Sequence, residues 1–417
     1  MSTPETKRRR SLTNVGGTVD TAGDRETAAL LAQALDVAPA PAPDGRAESD
    51  DADRAHVHGF HTYPARMHPS TAGRLVRAIA RDGATVFDPF CGSGTVLVEA
   101  AIAGRRAIGT DINPLAVRLA RLKTAGLDEA ACASMVAEAR EVAAFADERR
   151  RRRAGSTRRY TRADVDLFDP HVLLELDSIR AGIKEKATES PSRGALELVL
   201  SAILVKLSRR ASDTSVALKP RRLAAGFAAR LFAGKAEELA RRLGEMRALL
   251  PPGSAPARVE LDDALRLRTV NASTVDAVVA SPPYVATYDY VAQHELRMRW
   301  LELDARALLA GEMGSRRRYA TLDVRAAGEA WRREVIASLR AMSRVCRKGA
   351  RIALLVGDSA VQGEALRADT IVASVAAEAG LVWIARASQA RAHFHGPGTP
   401  AFRDAPRAEH AIVLEKR

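Results

Sequence analysis

The stretch Val86–Ala100, VFDPFCGSGTVLVEA, decides the fold. Taken from Ala84, ATVFDPF reads as a short apolar strand running into CGSGT. Gly92-Ser93-Gly94 then separates it from an apolar helical pattern that starts near Thr95. A strand that turns through glycines into a helix lets a ligand approach the backbone closely and offers it the free N–H groups of the helix start. About 20 residues further on, AIGTDI reads as a second strand with Asp111 at its tip, the place for a carboxylate that binds ribose hydroxyls.

Working outward, TAGRLVRAIARDG before this unit has helical spacing and ends at Gly83, and NPLAVRLARLKTAG after it is a helix with Pro114 near its start, where proline is tolerated. Alternating strands and helices argue for a parallel sheet covered on both faces. The alternation stops near Leu127, and from there to about Leu250 the pattern is helical and strongly charged. PPGSAPA, from Pro251, reads as a linker. Strands resume with ARVELDDA and VDAVVA, a long helical stretch is expected from Asp289 to Val345, and ARIALLVGD, LVWIARAS and EHAIVLEK follow. The expected architecture is α/β, with seven strands and a helical insertion between the second and third. A domain of residues 51–126 and 255–417 would carry the sheet, with 127–254 as the insertion. Residues 1–50 are expected to be a disordered tail, because a basic TKRRR and a Pro/Ala/Asp-rich run hold few bulky apolar side chains to offset the entropy of ordering. No repeat appears at solenoid periods.

Three nucleotide readings compete for the glycine loop. A dinucleotide fingerprint needs a third glycine where Val96 and Leu97 stand, and a phosphate-binding loop needs a lysine that does not follow. A nucleoside ligand without phosphates remains. Asp88, just before the loop, would suit a ligand amino group and repel a pyrophosphate. S-adenosylmethionine carries a ribose, an adenine and an ammonium group, and so fits all three features.

The chain has 417 residues, 47% of them hydrophobic, enough for a sizeable core. No apolar run has membrane-spanning length and no signal-peptide pattern is present, so a cytoplasmic, nucleoid-associated protein is expected. Lys and Arg number 64 against 51 Asp and Glu, a formal charge of +13 that attracts polyanions. Three scattered cysteines, Cys91, Cys132 and Cys346, fit neither a disulfide framework nor zinc spacing. Cys91 reads as a packing residue, since no histidine or basic group adjoins it to activate a thiolate. The clusters His56, His58, His61 and His393, His395 lack carboxylate or cysteine ligands at recognisable spacing, so no metal is expected.

In VDAVVASPPYVATYDYV, residues 275–291, another apolar strand ends abruptly at Ser281 and leaves Ser281-Pro282-Pro283-Tyr284 as a stiff projecting loop. DPFCGSGT (Asp88–Thr95) together with SPPY (Ser281–Tyr284) resembles the amino-group DNA methyltransferases, which make N4-methylcytosine or N6-methyladenine. Upstream, HTYPARMHPSTAGRLVRAI resembles the segment that precedes the glycine motif in that family, with His68-Pro69 in place of its usual Lys-Pro. ELDDAL resembles its acidic motif, with Asp263 the best match and Asp262 the alternate. The resemblance covers roughly residues 56–126 and 255–417, and it implies a Rossmann-like seven-stranded methyltransferase sheet.

It also implies roles. Asp88 and the Gly92–Gly94 loop would hold the methionine part of the cofactor, Asp111 the ribose and Asp263 the adenine amino group. His61, Tyr63 and Pro64 upstream, with Phe90 and Ile112 beside the loop and strand tip, complete the expected cofactor side. Ser281, Pro282, Pro283 and Tyr284 would receive a flipped base, with Ser281 Oγ and the Pro282 carbonyl accepting from its amine and Tyr284 stacking on it. Serine at the first motif position leans toward cytosine N4 over adenine N6. An RNA base amine, guanine N2 in type, is the second reading, and a binding module without turnover the third. DNA is the expected partner, RNA the alternative, and a restriction endonuclease partner is left open. Within the insertion, Arg149–Arg153 with Arg158, Arg159 and Tyr160 read equally as a solvated run or as phosphate contacts. The polar cluster Ser208, Arg209, Arg210, Ser212, Asp213 and Thr214 is the candidate target-facing loop, against a purely structural cap.

Overall fold

The computed structural model describes residues 17–37, 51–187, 190–212, 217–391 and 399–417. In chain order its strands are β1 (Val19–Gly23), β2 (Thr85–Asp88), β3 (Arg106–Asp111), β4 (Arg258–Leu261), β5 (Val275–Ala280), β6 (Cys346–Gly357), β7 (Ser359–Val361), β8 (Glu364–Leu366), β9 (Leu381–Ala390) and β10 (Ala408–Lys416). Eight of them form one sheet in the order β1-β9-β10-β6-β5-β2-β3-β4, and β7 and β8 make a separate small hairpin. The inner pairs β6/β5, β5/β2, β2/β3 and β3/β4 are parallel. The pairs β6/β10, β10/β9 and β9/β1 are antiparallel. β5 is apolar but for Asp276 because parallel strands are covered on both faces; Val275, Ala277, Val278, Val279 and Ala280 are all fully buried, and Asp276 accepts from Thr85 N at 2.8 Å. Each such valine contributes about 1.5–3 kcal/mol relative to exposure.

From β2 the chain steps outward through β3 to β4, then returns to the other side of β2 as β5. That reversal opens a crevice beyond the carboxyl ends of β2 and β5, the general position of ligand sites in open α/β sheets. The glycine loop follows β2 and the proline loop follows β5, so topology brings together two segments far apart in sequence.

One expectation changes. The sheet has an eighth strand, β1, drawn from the tail expected to be disordered. It pairs with β9, and the helix Arg25–Leu35 behind it buries Thr27, Ala28, Leu31, Ala34 and Leu35. Asp24 caps that helix by accepting from Thr27 N at 2.9 Å, so a few well-spaced small apolar residues suffice once a sheet edge is available. The rest of the expected tail, 1–16 and 38–50, lies outside the described residues. The helical stretch from Asp289 to Val345 is divided into four helices, Tyr290–Trp300, Arg306–Gly311, Arg316–Tyr319 and Val324–Val345. The broken part folds over the crevice.

The insertion, between β3 and β4, is built from the helices Glu129–Arg151, Arg162–Leu167, Pro170–Lys186, Arg193–Leu207 and Phe227–Leu249. It shares one apolar core with the sheet's own helices: Leu176, Leu200 and Phe232 pack in the same cluster as Val98, Leu115, Leu119 and Trp300. Asp164, buried, accepts from Arg299 and from Trp300 Nε1 at 3.0 Å. Among the described residues no helix is long and apolar enough to cross a membrane.

Candidate active site

The glycine loop takes its shape from two backbone demands. Gly94 has φ +88, and a Cβ there would lie 3.0 Å from Ala120 Cα, so only glycine lets the loop close on the helix Pro114–Thr124. Gly92 has φ +49 and faces the Tyr63 ring, whose Cε1 would be 3.3 Å from an added Cβ. Asp111, at the tip of β3, braces the loop by accepting from Gly92 N at 2.8 Å and from Asn113 N at 2.8 Å. Asp88 accepts from Phe90 N at 3.0 Å. Asp263 accepts from Leu265 N at 2.9 Å.

These groups line one cleft, with Phe90, Ile112, Ser281 and Pro283, and the segment from Leu308 to Met313 covers it. Asp262 points elsewhere: its Oδ2 accepts from Thr269 N and Oγ1, both at 2.7 Å, which leaves Asp263 as the acidic residue of this strand end in the cleft. Burial pushes the Asp88 carboxyl up to about 8, with the nearby Asp111 adding to the rise. Burial likewise raises Asp111 to about 6, against the backbone N–H bonds that favour its charged form. Two buried carboxyls short of positive charge make a site that gains from a cationic ligand. Cys91 is buried in the loop, and burial pushes its thiol well up, which fits packing and not nucleophilic attack.

A second cavity abuts the first and shares Ser281, Tyr63, Arg66, Met67 and Tyr290 with it. Its own walls are Pro282, Tyr284, Tyr288, Leu355, Glu409 and His68. The Tyr284 hydroxyl donates to Glu409 Oε1 at 2.7 Å, and its ring lies over Gly357, where a Cβ would sit 2.5 Å from Tyr284 Cε2. Ser281, at the end of β5, stands where the two cavities meet.

Several expected residues fall elsewhere. His61 does not line the cleft; its Nδ1 donates to the Thr62 carbonyl at 2.8 Å, leaving Nε2 to accept from Ser201 Oγ of the insertion at 3.0 Å. Pro64 is also outside the lining and instead sets the turn into Ala65, at φ 56, which does line it. Arg158 lies over Tyr160 and Trp300, 4.8 and 5.4 Å from the ring centroids, and pairs with Glu302 at 3.2 Å. Arg209 pairs with Asp169 at 2.6 Å, Ser208 is buried and donates to the Val205 carbonyl, and Arg210 bridges to Leu218. Arg158 thus ties the insertion to the helix Tyr290–Trp300, while Ser208 and Arg209 bond within the insertion; Arg159 alone of the five is exposed. Asp213, Thr214, His393 and His395 lie outside the described residues. His58 Nε2 bonds Glu99 at 2.9 Å beside His56, tying the segment before the cleft to the helix after the glycine loop.

Sequence reading missed Arg66, Met67, Asn113, Tyr288, Tyr290, Glu409 and the Leu308–Met313 cover. Asn113 had a local signal, since Asn before Pro114 caps a helix; it accepts from Leu115 N at 2.9 Å and donates to Tyr63 Oη at 3.3 Å. Glu409 had none, because only the sheet brings β10 to the proline loop.

The mostly parallel sheet is the one the resemblance implied, and the crevice holds the two loops on which that resemblance rests. Residues 42–122 match the family model described as DNA methylase. The chain is similar to the type II methyltransferase M.MvaI of Kocuria varians, 39% identical over 75 residues, 17% of this chain and 16% of that protein. It is similar to the type II methyltransferase M.MjaII of Methanocaldococcus jannaschii, 37% identical over 68 residues, 16% of this chain and 13% of that protein. A tRNA (guanine(10)-N2)-dimethyltransferase of Methanothermobacter thermautotrophicus is 39% identical over 61 residues, 14% of this chain and 18% of that protein. The matches span less than a fifth of each relative's length.

Proposed function

We propose that the protein transfers a methyl group from S-adenosylmethionine to the exocyclic amine of a flipped nucleic-acid base, cytosine N4 in DNA. The observation that carries this reading is the meeting of two cavities at Ser281, one walled by buried carboxyls and a glycine loop, the other by Tyr284, Tyr288 and Tyr290. The donor set suits the cofactor: Asp88 for its ammonium, Asp111 for ribose hydroxyls and Asp263 for the adenine amine.

The cofactor, held by Asp88, Asp111 and Asp263, would supply an electrophilic sulfonium methyl to the amine lone pair, its sulfur keeping the electron pair of the broken S–C bond. The chain's residues do the rest by position. A base amine is a weak nucleophile because its lone pair is spread into the ring. Ser281 Oγ and the Pro282 carbonyl, accepting from its hydrogens, favour a pyramidal nitrogen and free that pair. The prolines hold those acceptors in place before the base arrives, so orientation carries much of the rate. Tyr284 offers a face to stack on. The extra proton leaves the product nitrogen to water.

Guanine N2 in RNA is the second reading, favoured by the tRNA enzyme that matches over part of the same chain. Such substrates place the protein with the nucleoid or with RNA, and the charge of +13 supports either. The test is to incubate the full chain with methyl-labelled S-adenosylmethionine and unmodified DNA or RNA, digest, and identify the labelled nucleoside by mass spectrometry. N4-methyldeoxycytidine is expected. N6-methyladenine as the sole product would overturn the cytosine assignment, and label confined to RNA would overturn the DNA assignment.

A further inference from the structure

The base cavity contains a carboxylate that the reaction as described does not use. Glu409 stands on β10, opposite Gly357 of β6 and Gln389 of β9. Its Oε1 accepts from the Tyr284 hydroxyl at 2.7 Å, and its Oε2 is held from behind by Arg391, at 3.1 and 3.2 Å. Arg391 is almost fully buried, so this is an anchored pair and not a surface ion pair. On the other side of the same cavity stands Ser281, at the end of β5. Three strand ends, β5, β6 and β10, therefore converge on one cavity.

A carboxylate held from behind by a buried arginine accepts, so the phenol spends its one O–H on Glu409. That bond, with the ring lying over Gly357, fixes the plane of the Tyr284 ring in the cavity. A stacking face acts by position, so a ring held in one plane before the base arrives supplies part of the orientation.

We propose that Glu409 is a positioning residue for methyl transfer: by accepting from the Tyr284 hydroxyl it fixes the plane of the ring on which the target base stacks. The inference rests on the amine-methylation reading. Gly357 belongs to the same device, because its missing side chain lets the Tyr284 ring lie flat enough to reach Glu409. A neutral amide at 409 pairs more weakly with Arg391 and with the phenol, and so loosens the ring without emptying the space.

The test uses the full chain, labelled S-adenosylmethionine and PCR-amplified genomic DNA. Glu409→Gln should lower kcat by roughly tenfold to a hundredfold, the scale of losing a hydrogen bond to a charged group. Cofactor affinity by calorimetry should stay at the wild-type value, since neither Glu409 nor Tyr284 lines the cofactor cleft. In a Tyr284→Phe background the same change should add less than about twofold, because the link it acts through is already cut. Full, multiplicative losses in the double variant, or wild-type kcat in Glu409→Gln, would overturn the proposal. A readout independent of turnover is the ring carbon resonance of 13C-labelled Tyr284, assigned by its loss in Tyr284→Phe; it should shift in Glu409→Gln, and an unmoved resonance would overturn the contact itself. Should the wild type methylate neither DNA nor RNA, the functional reading falls, and the resonance still decides whether Glu409 orients Tyr284.

Discussion

Asp88 carries a cost that its ligand would remove. Its carboxyl is pushed up to about 8 in the folded chain by burial, from an ordinary 3.8. Between those values the folded state holds a proton that the unfolded state has lost, so this residue makes stability fall as pH rises from about 4 to about 8. An ammonium group beside it favours the charged form, and binding should therefore release a proton near neutral pH. Asp88→Asn should raise the melting temperature of the ligand-free protein at pH 8 and flatten this pH dependence. It should also weaken S-adenosylmethionine binding by about tenfold or more, the scale of one charge-assisted hydrogen bond. Calorimetry at pH 7 and pH 8 checks both parts, and an asparagine variant with undiminished affinity would remove Asp88 from the cofactor site.

At the scale of elements, the two loops were legible because each is a local event. A strand that runs into glycines, and a strand that runs into two prolines, announce their ends and their chemistry within a few residues. The edge strand β1 was not legible, since five residues with little apolar content become a strand only by pairing with β9, far along the chain. Glu409 and Arg391 were hidden for the same reason. The arginines of the insertion were ambiguous in another way, because one guanidinium serves a phosphate or an internal acid equally well. Arg158 shows the internal use, stacked on Tyr160 and Trp300 and paired with Glu302. Arg158→Ala should therefore lower the melting temperature while leaving the salt dependence of nucleic-acid binding unchanged. A shallower salt slope with unchanged stability would assign it to phosphate contact instead.

Across the whole molecule, the insertion and the sheet are not separable layers. They share a core through Val98, Leu115, Leu119 and Trp300, and Asp164 fastens the insertion to the helix that follows the proline loop. The parallel strands and the placing of the helical block between β3 and β4 could be read from the alternation of apolar runs; the shared core could not, because helical periodicity shows that a face is buried but not against what. The result is one frame around the crevice between β2 and β5, with the cleft of the glycine loop and the cavity of the proline loop meeting at Ser281. The most direct test of that arrangement is a crystal structure of the full chain with S-adenosylhomocysteine and a short oligonucleotide carrying the methylated base type. The account predicts the amino-acid ammonium at Asp88, the ribose at Asp111, and the flipped base against Tyr284 with its amine within hydrogen-bonding distance of Ser281 Oγ. A product bound away from Asp88 and Asp111, or a base amine that never reaches Ser281, would contradict it.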